Sequence, residues 1–577
     1  MMKKLQNNRQ SGITLIALVI TIIVLIILAG VAINLTLGQN GLLNRTKEAR
    51  EKYEIASAKE YIELKIDECI IEKGGVASLQ DIIDYLAEDS SVTYYVALEE
   101  VGLVAGEVDI GSPKEIYVVY NRYQFKVDES KKVEFISIVD VDLEGKVSIE
   151  AQVKEYLGKN SDGKYEASVL LKATGEAEIS KLEIENPDGT SLSLEPDGLT
   201  TVGKDMTIEF DKTYKVILTT ANGHRYTKKI IEKSEETIMN AEQLASFRDK
   251  VNSGLSYTGK TVNLVADINL STICGQNIGE KEVSWEPIGS TTAFSGTFNG
   301  NGHKISGMYI NNSKQKQSLF GTANKGKIIN LTVEGKITAG KFAGGICGTA
   351  TNTTFEKCIN KVEIVGKAPE SNYNGMAGGI TGYADGNSQF KECINMSNIT
   401  AYSCVGGITG YAHGSNIENC YNIGNIIGTG QYVNGEVDIG GIVGSILGNT
   451  INNCYNAGDV STSTSYTVVG GIVGYYSYSS NTTMNRCINA GTITRAGTKA
   501  TSLDSGSGYL GTIIGRKYSG TANNIESITP QVLKNYTQEQ LKTKLGEEYT
   551  NDIQNEDGTW KYNNGYPILK WQLNSRN

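Results

Sequence analysis

The motif Gly-Gly-Ile-x-Gly occurs five times, beginning at Gly344, Gly378, Gly406, Gly440 and Gly470, with starts 34, 28, 34 and 30 residues apart. Ser318-Leu-Phe-Gly321 precedes the series and Gly511-Thr-Ile-Ile-Gly515 follows it. A lone unit of this length cannot bury an apolar face, whereas stacked units bury a continuous one. That constraint selects a solenoid of roughly six coils with parallel strands about 4.8 Å apart. Glycine belongs where backbones approach closely or turn with positive φ. Proline donates no ladder hydrogen bond, and none occurs between Pro369 and Pro530.

A second repeat tests that reading. Cys followed by Ile or Tyr and then Asn occurs at Cys358, Cys393, Cys420, Cys454 and Cys487, each 10 to 13 residues after the last Gly of the preceding motif. Six residues after each Cys stands Ile364, Ile399, Ile426, Val460 or Ile493. Applied to the first unit, the rule lands on Leu331 and then Ile337. A ligand, a nucleophile or an obligatory disulfide would not tolerate leucine; an inward packing position does, and free Cys packs as a small hydrophobe. Tetrahedral zinc needs converging ligands, and parallel Cβ vectors oppose disulfides. The thiols are therefore expected to form an interior ladder. Asn360, Asn395, Asn422, Asn456 and Asn489 are expected to form an amide ladder beside it, with Val333 in the first unit.

Gly-Gly-Ile-x-Gly at about thirty-residue spacing resembles the GLUG motif of bacterial surface proteins, IgA-cleaving proteases among them. The resemblance spans residues 318 to 515 and implies a surface-displayed parallel β-helix. Upstream, Asn240 and Gln243 are placed to start a helix with a capping box, and Trp285 to pack on the first coil. Downstream, Thr529-Pro530 and Thr537 with Gln540 are helix starts. Trp560, Tyr566, Ile568, Leu569 and Trp571 are expected to cap the last coil's open edge.

The chain begins differently. Lys3, Lys4 and Arg9 precede Ile13 to Ile33, a stretch without charge that would make about 30 Å of helix. Gly12 followed by Ile13-Thr14-Leu15-Ile16 resembles a type IV prepilin, in which a prepilin peptidase cuts after the glycine. The fifth position after that cut is Ala17, where pilins carry Glu. A plain signal anchor and a cleaved secretory signal are the other readings. A charged helix over Leu42 to Lys73, a short helix from Ser78 and several strands read as a pilin-like head. Residues from about 140 alternate in short strands with Asp-Gly and Asn-Gly turns, the pattern of an Ig-like β-sandwich.

The expected fold class is thus multidomain: an N-terminal transmembrane, pilin-like long α-helix with a small α+β head, an Ig-like β-sandwich, and a parallel β-helix with a C-terminal cap. The expected division is 1–12 leader, 13–37 transmembrane helix, 38–139 stalk and head, 140–233 sandwich, 236–525 GLUG-type β-helix and 526–577 cap.

Net charge −10 argues against nucleic acid as a partner. The three His, at 224, 303 and 413, are scattered. No His-Glu-x-x-His, Gly-x-Ser-x-Gly or P-loop motif appears, so neither cofactor nor metal is expected. The leading reading is an extracellular, membrane-anchored adhesin-like module. A minor pilin in a surface fibre and a β-helix glycan-acting enzyme are the alternatives. The processing residues are Gly12 and Ile13. Tyr383, Tyr411 and Tyr475 are the candidate contacts for an extracellular glycan or protein ligand. Other expected partners are the cytoplasmic membrane through Ile13–Ile33, prepilin peptidase and other pilin subunits.

Overall fold

The protein is described from a computed structural model. It covers residues 42–86, 92–98, 102–105, 115–120, 123–138 and 147–574, apart from 176, 197, 222–224, 367–374, 431–436, 449, 477–481 and 507. Two compact units result: 42–151 with 171–204 and 213–230, and 152–170 with 205–212 and 231 onward.

In the first unit a helix, Leu42–Glu72, ends where Gly74 and Gly75 take φ of 76° and 100°. Ala58, Ile62, Ile66 and Cys69 recur at three- and four-residue spacing and are buried, together with Leu79, Ile82, Ile83 and Leu86 of the helix Leu79–Leu86. The same core takes Ile116, Val118, Phe125 and Val127 from an antiparallel five-stranded sheet. A four-stranded antiparallel sheet, led by Thr213–Thr220 and Ile179–Glu185, belongs to this unit too. Ser148–Lys159, Tyr165–Thr174 and Thr201–Glu209 form a separate three-stranded sheet.

The expected fold class is corrected here. The described protein is mostly β-strand, and no helix among the described residues is long and apolar enough to cross a membrane. The helix Leu42–Glu72 carries six basic and eight acidic side chains, and each charge is costly in a bilayer core. This helix is a charged element with one apolar stripe on its own unit's core, and it gives the fold no membrane-spanning, pilin-like element. Residues 1–37, with the leader and the apolar stretch, lie outside the described residues.

The second unit is a parallel β-solenoid. One coil shows the plan. Val405–Gly406 belongs to a six-stranded sheet and Thr409–His413 to a seven-stranded sheet; Asn416–Glu418, Tyr421–Asn422 and Ile426–Gly428 belong to one long sheet. Each strand pairs in parallel, in register, with its counterpart in the next coil. The near end is closed by the helix Ala241–Asn252. Asn240 accepts the Gln243 N–H at 2.9 Å, and the Gln243 side chain accepts the Met239 N–H at 2.8 Å. Phe247 packs on Tyr257, Phe294 and Phe298. Trp285 is buried and donates to the Leu319 carbonyl at 3.2 Å. The strand Ser148–Lys159 reaches this end through Tyr156, whose ring meets Tyr257 at 5.3 Å. Between the two rings the buried Lys260 ammonium pairs with Glu232.

The C-terminal segment packs along the flank of the coils. The residue after each Cys points outward, because side chains alternate along a strand. Ile359, Ile394, Tyr421, Tyr455 and Ile488 thereby make an apolar stripe, and Leu533, Leu541, Leu545, Tyr549 and Leu569 pack on it. The Tyr549 hydroxyl donates to the Asn453 carbonyl at 2.7 Å, and the Tyr421 hydroxyl to Gln572 at 3.1 Å. Trp560 remains 41% exposed. The capping box of Thr537 with Gln540 is formed in both directions.

Candidate binding surface

Inside the coils the repeated polar residues are committed to structure. The carbonyls of Leu331, Cys358, Cys393, Cys420 and Cys454 accept from the next coil's Ile359, Ile394, Tyr421, Tyr455 and Ile488 at 2.8–3.2 Å. Leu331 therefore sits in the cysteine column, and Ile525, opposite Cys487, continues it. The thiols are all free and buried. Those of Cys393, Cys420, Cys454 and Cys487 donate to the carbonyl two residues back at 3.2–3.5 Å. Burial pushes the Cys358, Cys420 and Cys487 thiols well above the ordinary range, whereas in Cys393 and Cys454 hydrogen bonds from the neighbouring thiols outweigh burial and lower them. Among the described residues no three His, Cys, Asp or Glu gather as a metal site.

The residue before each position in that column turns the corner in the left-handed region: Asn330, Lys357, Glu392, Asn419, Asn453, Arg486 and Asn524, with φ from 51° to 55°. Asn fits there because its short amide tolerates that conformation.

The asparagines do form a buried ladder. Each Nδ2 donates to the next Oδ1 at 2.7, 2.6, 2.7 and 2.8 Å, from Asn360 through Asn395, Asn422 and Asn456 to Asn489. The opposite wall of each coil is the second glycine of the repeat. A Cβ on Gly345 would stand 1.8 Å from Asn360 Oδ1, and one on Gly407 2.6 Å from Asn422 Cβ and 2.3 Å from the Gly441 carbonyl. Gly379, Gly441 and Gly471 meet Asn395, Asn456 and Asn489 in the same way. The first glycine has a different cause: a Cβ on Gly406 would stand 2.2 Å from the carbonyl of Thr409, three residues on.

Outward positions of the seven-stranded sheet align as Thr349, Tyr383, Tyr411, Ser445, Tyr475 and Arg516. The three tyrosines singled out in the sequence do not form one group. Tyr383 and Tyr411 are on adjacent rungs and stack, centroids 5.3 Å apart and planes 2° apart, with Phe342 at 5.6 Å from Tyr383. Their ring faces are spent on each other, and burial raises both phenols. Ser445 interrupts the file. Tyr475 instead meets Tyr518 at 5.7 Å. Tyr518 lies under the Arg516 guanidinium, which also covers Tyr509 at 4.1 Å. Arg495 approaches Tyr509 at 5.0 Å. Tyr509, Tyr518, Arg495 and Arg516 were not singled out by motif. The available signal was compositional: residues 460–525 hold five basic residues and one acid, Asp504, in an acidic chain.

His303 and His413 each pair with a carboxylate of another coil, Asp267 at 3.0 Å and Asp385 at 2.9 Å. An open cleft of about 830 Å³ lies beside the helix Ala241–Asn252, where Arg248 stacks on Trp285 at 4.8 Å. Gly12, Ile13 and His224 lie outside the described residues.

Residues 401–427 match the GLUG motif. Halomucin of Haloquadratum walsbyi is 33% identical over 140 residues, 22% of this chain and 1% of the relative. Zinc metalloprotease ZmpC of Streptococcus pneumoniae is 34% identical over 120 residues, 21% of this chain and 6% of the relative. A Bacteroides ovatus structure provisionally designated an immunoglobulin A1 protease aligns over 58% of this chain and 92% of its own, at 20% identity and TM-score 0.37. A structure named IgA1 Protease aligns over 62% and 29%, at 16% identity and TM-score 0.35. The chain thus spans a small fraction of the curated relatives it matches, and one coil of it carries the GLUG motif match.

Proposed function

We propose that this chain is an extracellular surface protein whose solenoid serves binding, in the manner of an adhesin, and not catalysis. One observation carries this reading: the repeated thiols and amides are consumed in interior ladders, and the outward file of the seven-stranded sheet includes Tyr383, Tyr411 and Tyr475. Its two curated relatives have unlike names, and each shares only about a fifth of this chain, which fits a reused module better than a dedicated catalyst. The test uses the full chain. Antibody labelling of intact cells and adhesion of purified chain to foreign surfaces are expected to be positive. Labelling only after lysis would overturn the surface reading. Cleavage of immunoglobulin A or of a polysaccharide by the purified chain would overturn the binding reading.

A further inference from the structure

We infer that two copies of this chain pair through the far ends of their solenoids, with the strand Thr521–Ser527 of one antiparallel to the same strand of the other. The inference stands on the geometry of the coils and is independent of the binding reading above. The long 22-stranded sheet ends on Thr521–Ser527, which among the described residues pairs with Thr483–Asn489 alone. Earlier coils show which backbone groups such a strand offers onward. The corner N–H groups of Asn330, Lys357, Glu392, Asn419 and Asn453 donate to a carbonyl of the next coil at 2.9–3.1 Å. The carbonyls of the cysteine column and of the Asn column accept from the next coil at 2.7–3.2 Å. By register, the same groups of the last coil are the Asn524 N–H and the carbonyls of Ile525 and Ser527. Thr521, Asn523, Asn524 and Ser527 are exposed. Ala522 and Ile525 are half-buried, whereas Met484 and Cys487, opposite them one coil back, are fully buried.

The chain covers the neighbouring edge with its own backbone. The N–H groups of Thr512, Ile514 and Lys517 donate to the carbonyls of Ser502, Leu503 and Gly506 at 2.7–3.0 Å. Thr521–Ser527 holds no Pro, Lys or Arg, residues with which natural edge strands are blunted. Its one charge, Glu526, is paired with Lys544. These features select a second copy as the occupant. The near end is closed by the helix Ala241–Asn252, so head-to-tail stacking would set an open edge against a helix. Far end against far end sets open edge on open edge, in a closed two-fold interface. With the axis between Asn524 and Ile525, each Asn524 N–H meets the other copy's Ile525 carbonyl. Glu526 then faces Asn523 and not its own copy, and Ala522 and Ile525 are withdrawn from water.

The experiment is sedimentation of the full chain over a range of concentrations, at low and high salt. A monomer–dimer equilibrium is expected, and salt should not weaken it, because no ion pair crosses the axis. Asn524→Lys sets two like charges face to face at a corner where Lys357 is accepted in an earlier coil; it should weaken the dimer about tenfold or more, with thermal unfolding unchanged. Ala522→Pro should weaken it too. The Thr521 N–H is bonded to the Thr482 carbonyl, so that of Ala522, next along the strand, points to the open side, where proline is tolerated. Asn524→Cys should give disulfide-linked dimers on mild oxidation, since the native thiols are buried; Asp188→Cys, exposed in the first unit, should not. A chain that stays monomeric, a dimer that both edge variants leave intact, or one that Asn524→Cys fails to cross-link overturns the inference.

Discussion

The five middle coils and the two coils that flank them solve one packing problem differently. In the middle, every ladder Asn faces a Gly: Asn360 with Gly345, Asn395 with Gly379, Asn422 with Gly407, Asn456 with Gly441 and Asn489 with Gly471. In the first flanking coil the ladder position is Val333 and the facing position Ser318; in the last they are Ser527 and Thr512. The glycines facing the ladder are not at positive φ. Their cause is space. An amide column fills one wall, and the other wall gives up its Cβ. Where the amide goes, a side chain returns opposite it.

The largest effect is expected from refilling that wall. Gly407→Ala should cost about 3 kcal/mol or more, because backbone cannot yield as a side chain can. Ser318→Ala, in a flanking coil, should cost about 1 kcal/mol. Equal losses in urea unfolding would break the comparison. A double-mutant cycle sharpens it: Gly345→Ser with Asn360→Val recreates the Ser318 and Val333 pair, and a favourable coupling of about 1–3 kcal/mol is expected.

Asn422→Val should come next. It strands the Asn395 Nδ2 and Asn456 Oδ1 groups, at about 1–3 kcal/mol each. Asn360→Val, at the end of the ladder, removes one ladder bond, to Asn395 Oδ1, together with the local bond from the Val362 N–H, and should cost less. Cys358→Leu, beside Leu331, should cost under about 1.5 kcal/mol. All 9 thiols should titrate in denaturant without reductant; inter-coil disulfides in that titration would refute the packing role.

The smallest effect is a gain. Glu392 turns its corner at φ 54°, and burial raises its carboxyl pKa, with Lys357 opposing and Glu548 and Glu356 reinforcing the rise. A raised folded pKa means that the folded state holds the proton longer. Stability is therefore fully present below the ordinary carboxylate pKa and is lost as pH rises through the folded value. Glu392→Asn should stabilise by about 1 kcal/mol, more at pH 7 than at pH 4. An advantage that grows on acidification would reverse the assigned sign.

Register was legible because it is local arithmetic. The offset from glycine to cysteine placed Leu331 in the thiol column without any coordinate, and the Asn column two residues on followed from strand alternation. Capping at Asn240 and at Thr537 with Gln540 was legible for the same reason: donor and acceptor are three residues apart. The pairing of Asn with the second Gly was hidden although both motifs were in view, since it joins opposite walls of a coil. The path of the C-terminal segment was hidden too. Trp560 and Leu569 look equally apolar in sequence, and only the stripe of Ile359, Ile394, Tyr421, Tyr455 and Ile488 decides which is buried.

The sequence by itself determined the winding: the repeat length, the inward columns, and the absence of proline that parallel stacking requires. Tertiary structure alone decided which outward residues meet. Tyr383 and Tyr411 fall on neighbouring rungs and shield each other, while Ser445 parts them from Tyr475 and leaves it to Tyr518 and Arg516. The physical reason is distance along the chain. Inward register repeats within one coil, but a surface cluster is assembled from loops whose lengths differ from coil to coil.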